Sequence, residues 1–329
     1  MDASAAYEGR SVLITGGLGF IGSTLAHRLV GAGARVSLLD AVLAGSGANH
    51  HNIAAIRGDV SVVVGDVRDT GTLATMIPGV DVVFNLAGTL SHTDSMTDPL
   101  TDLDINCRAQ VGLLETCRRL APTARIVYAG TRGQYGRPRY LPVDEEHPLH
   151  ATDANGINKT AGEAYHLLYH QHHGLQTTSL RMSNTYGPRH QMKHARQGVI
   201  GWFVRQALDD AAMRVFGDGR QMRDATYVDD VVDALCLAGA SEAAVGEAFN
   251  LGSAPVPLVE LARAIVRAAG RGRVELVPYP EASRQVEVGD YVADTSKIER
   301  LLGWRASVSL EDGLARTVEF YERERAHYW

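Results

Sequence analysis

A doubly wound α/β fold, with helices on both faces of a parallel sheet, is what the sequence predicts. Three observations lead to it. Short β-rich runs alternate with helical runs through the first half, a glycine-spaced turn follows the first run, and an aspartate closes the second. SVLIT (11–15) is the first buried-strand run, and TLAHRLVGAG (24–33) has helical spacing that ends in glycine. RVSLLD (35–40), VSVVVGD (60–66), DVVFNLAG (81–88) and ARIVYAG (124–130) follow as strands. The stretch 103–120 is the most clearly amphipathic helix, and a second long helix runs on from residue 159. LQTTSLRMSN (175–184) and GEAFNLG (246–252) extend the strand pattern. Residues 1–180 are thus expected to form the sheet domain, with 246–252 returning to it. Residues 181–329, richer in glycine and proline, are expected to form mainly a smaller C-terminal lobe over the carboxyl edge, where such folds bind substrate.

The glycine turn, TGGLGFIG (15–22), places Gly16, Gly19 and Gly22 between strand and helix. Gly16 permits the tight turn, Gly19 lets the backbone approach a pyrophosphate, and Gly22 lets the helix lie close to the strand. Phe20 and Ile21, between the last two glycines, are expected at the cofactor, and the helix N-terminus then faces the phosphates with its free N–H groups. Asp40 closes the second strand where a carboxylate accepts hydrogen bonds from an adenosine ribose and repels a 2′-phosphate, so NAD is expected over NADP. Asp66 and Val67 in GDVRD, and Leu86, Ala87 and Gly88 in NLAG, end later strands where adenine and nicotinamide-ribose contacts fall. The sheet is therefore a Rossmann sheet in expectation.

Composition narrows the partners. A net charge of −6 without a basic run argues against nucleic acid, and no apolar run is long enough to span a bilayer. The polar start MDASAAYEGR carries no visible signal peptide, which points to a cytoplasmic protein. Three cysteines without metal-ligand spacing read as reduced structural thiols. His166 and His170 share a helix face at metal-binding spacing but lack a third ligand, so a solvated helix end is expected and no metal.

TGGLGFIG, GDVRD, NLAG, YAGTRGQYG, LRMSNTYGPR, GDGRQMRDATYVDDVVDA, FNLGS and DTSKIERLLGW occur in an order that resembles the extended short-chain dehydrogenase/reductase family, the NAD-dependent nucleotide-sugar epimerases and dehydratases. The resemblance covers nearly the whole chain. It implies bound NAD, a sugar nucleotide (a UDP-sugar most often) and a homodimer packed through the 103–120 helix and the helix after Lys159. It also implies that Asn184 and Arg223 hold the diphosphate, and that Arg284 and Glu287 contact phosphate and ribose. The last two lie in SRQVEV, where the family usually has R-P-G-D.

Family chemistry uses a tyrosinate to take the sugar hydroxyl proton, a Ser or Thr bonded to the same oxygen, and a Lys that lowers the tyrosine pKa and holds the nicotinamide ribose. By resemblance the hydroxyl is Thr131 and the lysine is Lys159, but the tyrosine position is Asn155. An amide cannot act as a general base. Only Lys159, Lys193 and Lys297 among 32 basic residues are lysines, which singles out Lys159 as a compact ammonium kept where a guanidinium would not fit. His92, Asp94, Tyr135, Tyr140 and His150 lie in segments that could supply another proton acceptor, as could a water held by Asn155, Thr131 and Lys159. Dehydratases of the family carry Asp–Glu after the threonine; here Arg132 and Gly133 stand there, which disfavours 4,6-dehydration and leaves Arg132 to meet an anionic group of the sugar. The expected function is an epimerase working through a transient keto-sugar. A reductase or other sugar-modifying enzyme, and a non-catalytic NAD- and sugar-nucleotide-binding protein, are the alternatives.

Overall fold

The computed structural model describes residues 3–43, 45–279 and 289–329. Seven strands form the main sheet: β1 (Ser11–Thr15), β2 (Arg35–Asp40), β3 (Val60–Val64), β4 (Val82–Asn85), β5 (Arg125–Thr131), β6 (Gln176–Met182) and, after β7 (Asn184–Tyr186), β8 (Ala212–Phe216) and β9 (Met222–Tyr227), the returning β10 (Ala248–Asn250). Their spatial order is β10-β6-β5-β4-β1-β2-β3, and every pair is parallel. The order reverses direction beside β1, the switch point at which such sheets open a ligand crevice.

Alternate residues of these strands face opposite layers. Val12, Ile14, Phe84, Val127 and Leu180 join one core, which includes α1 (Phe20–Gly31), α8 (Val228–Ala240) and Trp304. Leu13, Leu39, Val83 and Ile126 join the other, with α2 (Thr70–Met76), α5 (Ala109–Leu120) and Tyr169 of α6 (Ala154–His173). Both faces are covered, which is why the strands read as continuous apolar runs. α8, β10 and Trp304 lie beyond residue 181 yet complete the core of the sheet. The lobe has a separate core around Phe203, Val215, Leu261 and Tyr321. It is built from α7 (Val199–Leu208), α9 (Leu258–Ala269), α11 (Leu310–Glu324), the sheet β11-β9-β7 with β11 (Pro255–Pro257), and β8 paired with β12 (Arg273–Val277). α10 (Ser296–Leu302) returns Ile298 to the sheet's core.

Between β4 and β5 the chain forms α3 (His92–Thr97) and α4 (Pro99–Leu103), then a π-helical turn at Asp104–Arg108 that leads into α5. α6 starts on the side chain of Asp153, which accepts from Gly156 N, and stops at Gly174 in the left-handed conformation. Cys107, Cys117 and Cys236 are free thiols. Among the described residues no helix is long and apolar enough to cross a membrane.

Candidate active site

The glycine loop is shaped for a close visitor. Gly16 has φ +71°, and a methyl group on it would lie 3.0 Å from Ala87 N and 3.1 Å from the Leu86 carbonyl. A methyl on Gly22 would lie 2.2 Å from Gly16 O, so only glycine lets α1 start this near β1. No side chain caps α1 at Gly19, which leaves the N–H groups at its start for an anion. Gly22→Ala is expected to push α1 off β1, to cost roughly 1–3 kcal/mol as overpacking does, and to empty the dinucleotide site. Dinucleotide released on acid denaturation, together with a denaturant melt, checks this.

Asp40 stands at the end of β2 with its oxygens accepting Leu18 N at 3.0 Å and Val42 N at 2.9 Å, and burial raises its pKa against those bonds. Asp66 is bound through both oxygens by Arg68, whose hydrogen bond holds the carboxyl below its ordinary pKa. Val67 is buried.

Lys159 is 3% exposed and lies under the end of β4. Its Nζ donates to Ala129 O at 3.1 Å and lies 5.1 Å from the centre of the Tyr128 ring. A methyl on Gly88 would sit 2.8 Å from this Nζ and 2.8 Å from Asn106 Oδ1, so the two polar atoms flank one glycine-walled space. Among the described residues Asn106 Oδ1 is buried without a hydrogen-bond partner. An orphaned acceptor, a buried ammonium and a bare glycine wall suit the hydroxyl-rich ribose of NAD. The residues present fit this cofactor: Gly16, Gly19 and Gly22 would face its pyrophosphate, Asp40 would meet the adenosine ribose, and Lys159 and Asn106 the other.

Asn155 is buried, and its Nδ2 donates to Asp102 Oδ2 at 3.0 Å and to Thr89 O at 2.8 Å. Its contacts are those of a clamp between α6, α4 and the loop after β4. Asp102 also accepts from Asn158 at 2.8 Å and from the Thr89 hydroxyl, and its charge favours the ammonium of Lys159. Asp102 and Asn106 escaped the sequence reading. The available signal was Asn106 and Gln110, two amides one helical turn apart on the buried side of an amphipathic helix. The π-turn that turns Asn106 inward has no such signature; turns of this kind concentrate at functional sites.

Thr131 ends β5, and its hydroxyl oxygen accepts Gly133 N at 3.2 Å. Arg132 turns toward the lobe, its guanidinium 5.4 Å from the centre of the Tyr291 ring and its charge acting on Asp224. Burial raises the Asp224 carboxyl to about 6. Asn184 donates to Asp224 O at 3.1 Å, and Arg223 is buried with Nη1 donating to Met222 O and Gly289 O. Arg284 and Glu287 lie outside the described residues.

Several alternative proton acceptors are engaged elsewhere. Tyr135 is fully buried against Arg181 and Asn250, its pKa pushed up to about 12 by burial. Tyr140 donates to Asp144 on the surface, and Asp94 pairs with Arg196 at 3.1 Å. His150 is exposed. His92 differs, because its Nδ1 lies 2.7 Å from Asp153 Oδ2. The expected solvated end at His166 is corrected: its ring is fully buried, bonded to Gly162 O and stacked on Tyr128, and burial lowers its pKa to about 4. Among the described residues one cluster of metal-ligand type exists, His51, Glu324 and His327. The two imidazoles are stacked 3.6 Å apart and nearly parallel, so their in-plane lone pairs do not converge on one ion.

Comparison with known proteins identifies the family. Residues 12–252 match the model of the NAD dependent epimerase/dehydratase family. The chain is 35% identical over 318 residues to a UDP-glucose 4-epimerase of Mycolicibacterium smegmatis, covering 95% of this chain and 98% of the relative. It superposes with TM-score 0.92 on an epimerase from Methanothermobacter thermautotrophicus at 29% identity, covering 99% and 96% of the two chains. It also superposes with TM-score 0.86 on a dTDP-glucose 4,6-dehydratase from Streptomyces venezuelae solved with NAD bound, at 28% identity and covering 96% and 98%. The chain belongs to the NAD-dependent epimerase/dehydratase family of enzymes that act on nucleotide sugars.

Proposed function

We propose that the protein is an NAD-dependent epimerase of a nucleotide-activated hexose, a UDP-hexose in the first instance, that inverts C4 through a transient 4-keto sugar. The observation that carries the reading is Lys159, buried and charged beside Gly88 and Asn106, which suits a dinucleotide that takes part in chemistry. Bound NAD supplies a hydride acceptor that becomes the donor of the return step. In this reading Thr131 holds the reacting sugar oxygen and Lys159 holds the ribose. Arg132 and Gly133, in place of an acid pair, favour epimerisation over loss of water, and the similarity to a UDP-glucose 4-epimerase supports both the sugar and the carbon.

The reading is tested by incubating the purified protein with UDP-, GDP-, CDP- and dTDP-hexoses and following NADH absorbance and sugar isomers. Isomers without net NADH support it. A 4-keto-6-deoxy product would make the protein a dehydratase, and no product or transient NADH from any of these sugars would favour a non-catalytic binding role.

The assembly proposed with it is a homodimer in the cytoplasm. α3, α4 and α6 pack together and leave Met96, Leu100, Ile157 and Leu168 exposed, an apolar surface of the kind that marks an interface. Leu100→Glu combined with Leu168→Glu is expected to turn a dimer into a monomer in sedimentation velocity. A monomeric wild type would contradict the dimer.

A further inference from the structure

We propose that His92, held by Asp153, takes the sugar hydroxyl proton in place of the missing tyrosine; the proposal rests on the epimerase reading above. Asp153 Oδ2 lies 2.7 Å from Nδ1, and the Asp153 side chain is 6% exposed. Its other oxygen accepts Gly156 N at 2.8 Å, so the carboxylate is fixed at the start of α6. A carboxylate acceptor on Nδ1 selects the tautomer with the proton on Nδ1 and the lone pair on Nε2. Among the described residues no hydrogen bond uses Nε2, and the side chain is 47% exposed. The ring is therefore oriented from behind and open in front.

The front is the right place. A methyl on Gly133 would lie 3.3 Å from His92 Cε1 and 3.6 Å from Thr131 Oγ1, so the imidazole edge and the threonine hydroxyl border one space. α3 is latched to the first turn of α6 a second time: the Ser95 hydroxyl donates to His92 O at 2.8 Å and accepts Asn155 N at 3.2 Å. The ring thus moves with the helix that carries Asn155 and Lys159. Asp102, the other nearby carboxylate, already accepts from Asn155, Asn158 and Thr89.

In the oxidation step the O–H bond of the sugar hydroxyl breaks and its proton bonds to Nε2. The freed electron pair becomes the second bond of the C4 carbonyl as the C4–H pair departs as hydride to the nicotinamide. The imidazolium so formed faces the Asp153 carboxylate, and the same proton returns when the carbonyl is reduced on its other face.

The test uses the full chain with its bound NAD and UDP-glucose. His92→Gln and His92→Gly are expected to lower kcat by about 10²–10⁴, with NAD content and melting unchanged, and imidazole to restore part of the rate to His92→Gly only. His172→Gln, on the exposed end of α6, is expected to match wild type. Either His92 variant within about threefold of wild type would overturn the proposal, as would a loss in His92→Gly that imidazole does not relieve. An inactive wild type would fail the epimerase reading instead. The dyad is then judged by ¹⁵N NMR of His92 in wild type, where an Nδ1–H tautomer with an Nε2 signal moved by UDP-glucose supports it and a ring unmoved by saturating UDP-glucose overturns it.

Discussion

Lys159→Met is expected to strip the protein of most of its dinucleotide and to lower turnover by about 10²–10⁴. Methionine keeps nearly the length and volume of the side chain, so packing against Tyr128 and Gly88 survives and the effect isolates the ammonium. Each hydrogen bond from a charged donor contributes about 1.5–3 kcal/mol, so losing one or two to a ribose costs roughly tenfold or more in affinity. Arginine is expected to fail as well, because its planar fork does not fit a space that a single methyl on Gly88 would already crowd.

The same variant gives a stability signature of definite sign. Burial lowers the Lys159 pKa from 10.5 to about 8 in the folded chain. Between those values the unfolded state binds the extra proton, so the penalty for burying the charge is full below about pH 8 and relieved by pH 10.5. Wild type without dinucleotide is therefore expected to gain stability relative to Lys159→Met across that window. Equal NAD content in the variant, or a stability difference that ignores pH, would place Lys159 outside the site.

Glu163→Ala is expected to destabilise the fold by about 3–5 kcal/mol, the cost of leaving a buried charge unpaired. Glu163 and Arg181 are 2% and 6% exposed and bonded at 2.6 Å, with the Ser179 hydroxyl donating to the same carboxylate at 2.6 Å. Arg181 continues to the Tyr135 hydroxyl at 2.6 Å, and Tyr135 to Asn250 at 2.7 Å. The network ties α6 to β6, to the segment after Thr131 and to β10, and so sets the register of the helix that carries Asn155 and Lys159. Glu163→Leu with Arg181→Met is expected to recover much of the loss, because two apolar side chains leave no orphaned charge. Denaturant melts of both single variants and the double close the cycle, and additive losses would contradict a coupled pair.

Much of this fold was legible because its strands are short, buried on both faces and punctuated by glycine. SVLIT and RVSLLD have in the structure the bounds that the sequence suggests. α1 begins four residues earlier than its apolar spacing, at Phe20, because the glycine loop itself forms the helix start. The 103–120 helix begins further back, at Pro99, and passes through the π-turn, a change of period that apolar spacing does not record. The run 175–184 breaks after Met182, where the chain leaves the main sheet and Asn184 enters the lobe's sheet.

The glycine turn was legible where local backbone demands particular residues, as at Gly16 and Gly22. The site was hidden where buried polar groups find partners far along the chain. His92 meets Asp153 across 61 positions, Asn155 meets Asp102 across 53, and Glu163 meets Arg181 across 18. Periodicity carries no trace of such pairs. Asn155 accordingly reads as a missing tyrosine in the sequence and as a clamp on Thr89 and Asp102 in the fold.

The central claim is tested most directly by the fate of the hydrogen on C4. UDP-glucose carrying deuterium at C4 is converted in ordinary water, and the same reaction is run with unlabelled sugar in heavy water. Return of the abstracted hydride to the other face predicts UDP-galactose that keeps its C4 deuterium in the first case and gains no carbon-bound deuterium in the second. Label lost to solvent, solvent deuterium on a sugar carbon, or no isomer in either experiment would contradict the account.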